Sequence, residues 1–324
     1  MAAAIRHNVL PVLAYATRVS VIISSNCPLL GVAKGYHMTL RLAIPNKGRL
    51  SERSIEILKQ AGLEIENGDE RRLYANVKRQ DLAVMFLRAQ DIVRFVHKGA
   101  VDVGITGFDL VLESGLDVVV PYHLNFGRCR LSVAVPDTMK VERPEDLPDD
   151  LVVATSFPNL TKQYFEKLGK RVEITSIAGA AEIAPLLGVA DIIVDLVSSG
   201  STLKMNHLRE LAVIAESQAV VIANRKAYDG CEQQVQEIIS AMLSVTEAEN
   251  KKYLMADVPK SSLDEVKKAF PGIAGPTIMN IIGRDDVVAV HVVIDKTDAF
   301  DAINKLKRMG ATGILLTPID RMVP

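Results

Sequence analysis

The chain reads Ala190-Asp-Ile-Ile-Val-Asp195-Leu-Val-Ser198-Ser199-Gly200-Ser201-Thr202-Leu203 at the point where an apolar run gives way to small polar residues. The run over 191–197 has the length and composition of a buried strand. The loop after it opens a helix predicted over 202–210. Because a strand, a tight loop and a helix form the repeating unit of α/β proteins, the stretch predicts a mainly parallel sheet flanked by helices.

The same alternation continues on both sides of this stretch. Further strands are predicted at 39–44, 81–87, 101–106, 130–135, 151–155 and 171–177, and further helices begin at Ser51 and Asp91 or cover 159–168 and 180–187. This number of strands is too large for one small sheet. We therefore predict two lobes with a cleft between them.

The C-terminal part of the chain follows a different pattern. A helix is predicted over 227–246, followed by a strand (253–258), a helix (262–270), two strands (277–282 and 287–294), a helix (298–309) and a strand (313–318). The order β-α-β-β-α-β is that of the ferredoxin-like unit. The predicted divisions are an N-terminal extension (1–37), a first lobe (38–125 and 214–227), a second lobe (126–213) and a C-terminal domain (228–324).

The N-terminal extension differs from the rest of the chain in charge. The first 51 residues contain neither Asp nor Glu, whereas the whole chain carries 38 Lys+Arg and 39 Asp+Glu. Residues 1–37 show no clean periodicity, and a strand follows directly after Met38. Three interpretations remain open: a natural start at Met38 or a loosely ordered appendage before it, a transit peptide, or a poor secretory signal that Arg18 interrupts.

The composition argues against several classes of function. The net charge is −1 over 324 residues, so no basic footprint points to nucleic acid. No apolar run is long enough to span a bilayer as a helix. Cys27, Cys129 and Cys231 are too far apart for a disulfide framework or a CxxC metal site, which is typical of reduced thiols in the cytosol. The histidines form no H-x-x-x-H or E-x-x-H pair, which argues against a dedicated transition-metal site.

The loop over 198–202 has the composition of a phosphate-binding loop. The first N–H groups of a helix are unpaired and carry the positive end of its dipole. Small residues let phosphate oxygens approach that backbone, and the hydroxyls of the serines and the threonine add donors. Asp195 precedes the loop and suits two vicinal hydroxyls or Mg²⁺, so a ribose 5-phosphate would satisfy both halves. The alternative is an N-cap turn without a ligand.

Three further motifs lie at the ends of predicted strands, where open α/β sheets bind ligands. They are Lys47-Gly48-Arg49, Gly104-Ile-Thr-Gly107-Phe-Asp109 and Phe126-Gly127-Arg128-Cys129-Arg130. Lys47 and Arg49 suit a polyphosphate, because Lys supplies a point charge and Arg a fork. Asp109 faces the same predicted cleft. The alternatives are a solvated basic turn and a structural turn, and Cys129 is expected to be structural.

Four ordered motifs together resemble those of ATP phosphoribosyltransferases. They are Ile44-Pro-Asn-Lys-Gly-Arg-Leu50, Val101-Asp-Val-Gly-Ile-Thr-Gly107, Ala180-Ala-Glu-Ile-Ala-Pro185 and the stretch 191–203. The tail over 310–320 is similar to that of the long, feedback-inhibited form. The resemblance covers 38–324, and it implies an α/β catalytic region with two lobes, like type II periplasmic binding proteins, and an ACT-like C-terminal regulatory domain.

The resemblance also implies an activity. Family members transfer the 5-phosphoribosyl group of phosphoribosyl pyrophosphate (PRPP) to N1 of ATP, with Mg²⁺ as cofactor. The products are phosphoribosyl-ATP and pyrophosphate, in the first step of histidine biosynthesis. Histidine inhibits the long form, which is a homohexamer in its inhibited state, and we expect this chain to form a homo-oligomer, from dimer to hexamer. We expect a cytoplasmic enzyme of this kind, or an organellar one if residues 1–37 are a transit peptide.

The resemblance assigns roles to the residues of the predicted cleft. The PRPP residues are Asp195, Ser198, Ser199, Gly200, Ser201 and Thr202. Lys47, Arg49 and Arg128 are assigned to pyrophosphate or the phosphates of ATP, and Asp109 to the nucleotide. The predicted catalytic groups are Asp195, Lys47 and Arg49. Mg²⁺ would be held mainly by substrate phosphates, with Asp195 as the candidate protein ligand. Position 194 is Val, so Asp195 lacks the paired acid that other phosphoribosyltransferases often carry.

The effector residues are assigned in the same way. Those that match the histidine site are Asp257, Ile273, Gly275, Thr277, Thr312 and Gly313. For the loop among them, a plain turn between a helix and a strand is the alternative. Two other classes of protein remain open for the whole chain: a two-lobed solute-binding protein without catalysis, and a histidine sensor that has lost activity.

Overall fold

The computed structural model describes residues 39–65, 74–77, 82–230, 232–272 and 275–323, so the predicted extension 1–37 lies outside it. The strands are β1 (Leu40–Pro45), β2 (Tyr74–Asn76), β3 (Leu82–Leu87), β4 (Val103–Gly107), β5 (Val119–His123), β6 (Cys129–Pro136), β7 (Leu151–Thr155), β8 (Val172–Ser176), β9 (Ile192–Val197), β10 (Leu208–Ser217), β11 (Ala219–Ala223), β12 (Lys251–Pro259), β13 (Thr277–Ile281), β14 (Arg284–Asp295) and β15 (Thr312–Pro318). The helices are α1 (Arg49–Gln60), α2 (Ala89–His97), α3 (Phe108–Ser114), α4 (Pro158–Lys167), α5 (Ser201–Met205), α6 (Arg225–Gly230), α7 (Glu232–Ala248), α8 (Leu263–Ala269) and α9 (Ala299–Arg308). Within these ranges, no helix combines the length and the apolar composition that a membrane crossing needs.

The first lobe is built on a sheet with the strand order β2-β3-β1-β4-β11-β5. Strand β1 is buried along almost its whole length, as expected for a central parallel strand covered on both faces. It pairs in parallel with β3 on one side and β4 on the other. The strand order therefore reverses at β1, and the carboxyl ends of β1 and β4 border a crevice in which such sheets bind ligands.

The second lobe repeats this arrangement with the strand order β10-β6-β9-β7-β8. Strand β7 pairs in parallel with β8 and β9, so this sheet reverses at β7. The chain passes between the lobes twice, after β5 and after β10. These two crossings lie side by side, because Ala219 N donates to Phe126 O at 2.9 Å. The expected two-lobed α/β architecture is confirmed.

The C-terminal domain forms its own sheet, with the strand order β13-β14-β12-β15 and antiparallel pairing throughout. Alternate residues of β12, such as Leu254 and Val258, point into a core that α8 and α9 complete with Val266 and Leu306. This order and the element sequence β-α-β-β-α-β confirm the predicted ferredoxin-like unit.

The structure moves the boundary of this domain. Helix α7 belongs to the first lobe, because Val235, Ile239, Met242 and Val245 are buried in the same core as β1. The C-terminal sheet starts only at Lys251, so the predicted boundary at 228 is wrong. Residues 214–217, which were predicted to lie in the first lobe, are the end of β10 in the second sheet.

Two predicted helices are also corrected. The helix over 202–210 ends at Met205, His207 has a left-handed φ of 54°, and Leu208 begins β10. Two bulges in β10 disturb its alternation of buried and exposed residues, which explains why the sequence did not reveal a strand. The helix over 180–187 is a single 3₁₀ turn, Ala181–Ile183, because Pro185 lacks the N–H that would continue it.

Candidate active site

A cavity of about 1400 Å³ lies between the two lobes. Its wall is formed largely by the segments that follow β1, β4, β7 and β9. Arg49 comes from the first of these segments, Asp109 from the second, Ser156 from the third and Ser198 from the fourth. The two reversals of strand order therefore face each other across one cleft.

The cavity brings together part of the predicted site. Arg49, Asp109, Arg128, Asp195 and Ser198 line it. Five other predicted residues do not line it, although they lie close in sequence to residues that do. They are Lys47, Ser199, Gly200, Ser201 and Thr202. Except for Gly200, all of them are exposed. The structure thus unites cations of the first lobe and of the crossing segment with the acid and first serine of the second lobe.

The loop after β9 is a tight turn that leads into α5. Gly200 has a φ of 77°, in the left-handed region that glycine adopts without strain. The hydroxyls of Ser199 and Ser201 lie 2.9 Å apart, and Leu203 is buried and anchors the short helix. The loop therefore presents small polar side chains on a backbone whose left-handed turn at Gly200 favours glycine.

Asp195 stands half-buried on β9, just before this loop. Its Oδ1 accepts a hydrogen bond from the backbone N–H of Leu196 at 2.7 Å. Burial raises the pKa of the Asp195 carboxyl above its ordinary value of 3.8, and the charge of Glu182 raises it further, whereas the Leu196 N–H lowers it in part. A desolvated carboxylate of this kind gains from a ligand that supplies hydroxyl donors or a cation.

Asp109, in the first turn of α3, is almost completely buried at the crossing between the lobes. Its Oδ1 accepts a hydrogen bond from Ser217 Oγ at 2.5 Å. Burial raises the pKa of the Asp109 carboxyl, whereas the hydroxyl of Ser217 and nearby backbone N–H groups lower it. A Cβ atom on Gly107 would lie 2.4 Å from Asp109 Oδ1, so only glycine leaves room for this carboxylate.

Cys129 also lines the cavity, close to this carboxylate. Burial and the charge of Asp109 raise the pKa of its thiol. Since the thiolate is the reactive form, this environment is typical of an unreactive thiol, in line with the structural role expected from the sequence.

Glu113, at the rim of the cavity, caps a helix of the other lobe. Its two carboxylate oxygens accept hydrogen bonds from the backbone N–H groups of Asn159 and Leu160, each at 2.9 Å. Asn159 Nδ2 donates in return to Glu113 O at 3.0 Å. These N–H groups begin α4, where the helix dipole favours a negative charge. A carboxylate that follows β4 of the first lobe is thereby bound to the second lobe.

A second network lies beside the loop after β9. Arg130 donates to both carboxylate oxygens of Glu210, from Nε at 2.6 Å and from Nη2 at 2.5 Å. Its Nη1 donates to Ser198 O at 3.2 Å. Ser132, which is fully buried, donates its hydroxyl to Glu210 Oε1 at 2.8 Å. Hydrogen bonding by Arg130 lowers the pKa of the Glu210 carboxyl.

Sequence reasoning missed several cations of the cavity wall. The cations Arg53 on α1, Arg94 on α2 and Lys98 directly after α2 line the same space as Arg49, as does the imidazole of His97. The spacing gives a usable signal, because Arg49 and Arg53, like Arg94 and Lys98, are four residues apart and share a helix face. Arg53 also forms ion pairs with Glu56 and with Glu249, which follows α7.

The residues predicted to bind histidine are only partly brought together. Asp257 pairs with Thr312 across β12 and β15, and a Cβ atom on Gly313 would lie 3.2 Å from Asp257 Oδ2. Thr277 lies on β13, at the opposite edge of the sheet, so about 14 Å of sheet separates it from Thr312 at about 4.8 Å per strand step. Gly275 has a φ of 92° in the loop before β13, and Ile273 lies outside the described residues.

No group of three or more His, Cys, Asp or Glu side chains suited to a metal ion occurs in the described parts of the chain. Mg²⁺ needs no such group, since it is commonly bound through one or two carboxylates and the phosphates of a substrate. The half-buried carboxylate of Asp195 at the cavity wall fits that mode of binding.

Comparison with known proteins agrees with this architecture. A family model described as ATP phosphoribosyltransferase matches residues 88–244, and one described as HisG, C-terminal domain matches residues 248–321. ATP phosphoribosyltransferase of Methanothermobacter thermautotrophicus is 42% identical over 287 residues, which cover 89% of this chain and 100% of that protein. Its counterpart in Natronomonas pharaonis is 45% identical over 285 residues, or 88% of this chain and 100% of that protein.

A solved structure extends the likeness to three dimensions. A chain of the ATP phosphoribosyl transferase (HisG:HisZ) complex from Thermotoga maritima is 31% identical, with a TM-score of 0.58. The match covers 64% of this chain and 98% of that chain, which leaves room for the additional C-terminal domain. By its sequence over most of its length and by its fold, the chain belongs to the ATP phosphoribosyltransferase family.

Proposed function

We propose that the chain transfers the 5-phosphoribosyl group of PRPP to N1 of ATP, giving phosphoribosyl-ATP and pyrophosphate in the first step of histidine biosynthesis. One observation carries this proposal beyond family membership. The acid and first serine of the loop after β9 face the cations Arg49 and Arg128 across one cavity. A sugar phosphate bound to one wall and a polyphosphate bound to the other would meet inside the cavity.

The ribose and its 5-phosphate are assigned to the second lobe. Asp195 would accept hydrogen bonds from the two ribose hydroxyls, which would compensate the desolvation of its carboxylate. The loop 198–202 would donate backbone N–H groups and hydroxyls to the phosphate, with Gly200 giving the close approach. The tight turn at Gly200 and the buried anchor at Leu203 support this assignment.

The pyrophosphate and the phosphates of ATP are assigned to the basic side of the cleft. Arg49 and Arg128 line the cavity, Lys47 precedes Arg49, and Arg94 and Lys98 add charge from α2. Converging cations in a partly closed cleft attract a polyphosphate and stabilise charge that develops on it. Asp109 remains assigned to the nucleotide side, at the lobe crossing.

The chemistry requires positioning more than proton transfer. The bond between C1 of the ribose and the pyrophosphate oxygen breaks, and pyrophosphate leaves with the bonding electrons. The lone pair of adenine N1 forms the new bond from the opposite face. N1 carries no proton before attack, so no general base is needed. Arg49 and Arg128 would stabilise the charge that gathers on the leaving group, and Asp195 would orient the ribose. Mg²⁺, held by substrate phosphates and Asp195, would neutralise part of that charge.

The C-terminal domain is proposed to bind histidine and to inhibit the transferase. Asp257, Thr312 and Gly313 form one end of the proposed site, and Gly313 leaves space directly beside the Asp257 carboxylate. Thr277, at the far edge of the sheet, would serve the same ligand only from a neighbouring copy, which agrees with a homohexamer. Inhibition at this distance from the cleft requires two states of the protein that histidine binds unequally. We place the enzyme in the cytoplasm.

One assay tests both parts of the proposal. The full chain is incubated with ATP, PRPP and Mg²⁺, with and without histidine, and the near-UV absorbance of N1-modified adenine is followed while the product is identified by mass. A signal that histidine suppresses is the expected result. A signal that histidine leaves unchanged would keep the transferase and reject the proposed effector site. Histidine binding without product would reject the transferase and identify a sensor.

A further inference from the structure

We propose that Arg130 is a positioning residue for PRPP, which holds the start of the phosphate-binding loop through the carbonyl of Ser198, and that Glu210 holds Arg130 in place. The inference rests on the proposed function, since it names the substrate whose binding depends on this loop. Arg130 does not line the described cavity, whereas Arg128, two residues earlier, does.

Each of the three guanidinium nitrogens of Arg130 donates to a protein partner. Nε and Nη2 bind the two carboxylate oxygens of Glu210, and Nη1 binds Ser198 O. Since the guanidinium group is planar and rigid, fixing two nitrogens on Glu210 also fixes the direction of the third. Arg130 therefore fixes the position of the Ser198 carbonyl. Its charge is already paired with that of Glu210.

The carboxylate of Glu210 has a second hydrogen-bond partner. The fully buried Ser132 donates to Glu210 Oε1. Ser132 lies directly opposite Asp195 in the β6–β9 ladder, and Arg130 lies opposite Val197. Residues paired in this way point to the same face of a sheet. The network and the proposed ribose ligand Asp195 thus share one face of the second sheet.

The contact with Ser198 has a direct consequence for the loop. In a planar trans peptide, the C=O of one residue and the N–H of the next point in opposite directions. Because Arg130 binds Ser198 O, the backbone N–H of Ser199 is turned away from Arg130. Arg130 thereby sets the direction of the Ser199 N–H, one of the N–H groups that the loop would offer to the 5-phosphate.

The test compares Arg130→Lys and Glu210→Gln with the unchanged full chain. A Lys keeps the charge but has one nitrogen, so it cannot bind Glu210 at two points and also bind Ser198. We expect each variant to bind PRPP about tenfold more weakly. Calorimetry with PRPP and Mg²⁺ and the KM for PRPP measure this effect. The KM for ATP should stay within about twofold, and the thermal midpoint should change little.

Arg143→Lys is the matched control. Arg143 makes the same two-point contact with Asp146, through Nε and Nη2, but on the exposed surface of the same lobe. We expect this control to leave both KM values unchanged. A general disturbance of the lobe would instead alter the KM values for PRPP and ATP together, and would overturn the positioning role.

Two outcomes separate this inference from the proposed function. If the unchanged chain forms phosphoribosyl-ATP and both variants bind PRPP as tightly as it does, the positioning role is wrong and the transferase stands. If the unchanged chain forms no product, the proposed function is wrong, and calorimetry with PRPP still decides the role of Arg130. Absence of PRPP binding by the unchanged chain would overturn both. Should one variant fail to fold, the other decides.

Discussion

Ser217 and Asp109 are joined by two hydrogen bonds at the point where the chain passes between the lobes. Ser217 Oγ accepts from the backbone N–H of Asp109 at 2.8 Å and donates to Asp109 Oδ1 at 2.5 Å. Ser217 ends β10 of the second lobe, and Asp109 lies in the first turn of α3, after β4 of the first lobe. One hydroxyl therefore fixes both the backbone and the carboxylate of a buried acid across the crossing.

We predict that Ser217→Ala makes the stability of the protein more sensitive to pH. Burial raises the pKa of Asp109 above 3.8, and the Ser217 hydroxyl lowers it in part. Because the folded pKa is raised, the free energy of unfolding falls as the pH rises through it. Losing the hydroxyl raises this pKa further and deepens the fall, by about 1 kcal/mol above the folded pKa.

Urea unfolding at a series of pH values, with Asp109→Asn as a reference that removes the titrating group, measures this effect. Ser114→Ala is the control, since its hydroxyl donates to the backbone oxygen of Val111 on the same helix. A pH profile of Ser217→Ala that coincides with that of the unchanged protein would contradict the prediction.

Gly107→Ala should destabilise the fold and displace the carboxylate of Asp109. The added Cβ atom would lie 2.4 Å from Asp109 Oδ1, too close for either atom to stay in place. We expect a loss of about 1–3 kcal/mol. Gly230→Ala is the control, because a Cβ atom there meets nothing within 4 Å. The clash also predicts that Asp109→Ala relieves part of the loss in the double variant, and strict additivity would argue against it.

Asp195→Asn should lower turnover about 100-fold or more while the fold remains intact, since it removes the charge and keeps the shape. The rate of phosphoribosyl-ATP formation and the thermal midpoint are the two measurements. Glu173→Gln, at an exposed position of the edge strand β8 in the same sheet, serves as the control. Near-normal turnover of Asp195→Asn would show that this acid is misassigned.

Glu113→Ala should loosen the contact between the lobes. It removes the carboxylate that caps the first N–H groups of α4, which we expect to lower the free energy of unfolding by about 1 kcal/mol. Small-angle X-ray scattering should show a larger radius of gyration. Glu166→Ala, near the other end of α4, is the control because its carboxylate lies on the exposed surface. Unchanged scattering would mean that other contacts hold the lobes together.

Asp257→Ala should relieve inhibition by histidine and spare the transferase. Its carboxylate stands beside Gly313 and opposite Thr312, at the proposed effector site and outside the cleft. The concentration of histidine that halves the rate is the measurement, with the KM values for PRPP and ATP as a check on the cleft. Asp264→Ala, exposed on α8, is the control. If inhibition by histidine is unchanged, the effector binds elsewhere.

The central strands and the cleft could be predicted from the sequence for a definite reason. Parallel strands buried on both faces, such as β1 and β9, appear as continuous apolar runs, and the loops after them must meet at one edge. Strand β10 also contains an apolar run, over 211–215, but its first residues were assigned to the predicted helix 202–210, and two bulges disturb its alternation of buried and exposed residues. The position of α7 was also hidden, since an amphipathic face does not specify which core it covers.

The contacts that organise the site were less accessible to sequence reasoning. Glu113 caps a helix that begins more than 40 positions further along the chain, and nothing local marks that pairing. Arg128 and Arg130 are both basic and two positions apart, yet only the former lines the cavity. The partner of Arg130, Glu210, lies on β10, the strand that the sequence did not reveal. Long-range pairing therefore separates a cation that faces the ligand from one that supports the backbone.

The connection between α7 and β12 is very short. Only Glu249 and Asn250 separate a helix buried in the first lobe from an interior strand of the C-terminal sheet, and Asn250 O is itself bound by Lys296 N. Glu249 also forms an ion pair with Arg53, which lines the cleft. A connection this short limits how far the C-terminal sheet can rotate independently of the first lobe, whereas a long flexible linker would allow it. A movement of the C-terminal sheet would therefore be transmitted to the core that carries α1. A glycine-rich spacer inserted between α7 and β12 would uncouple the two.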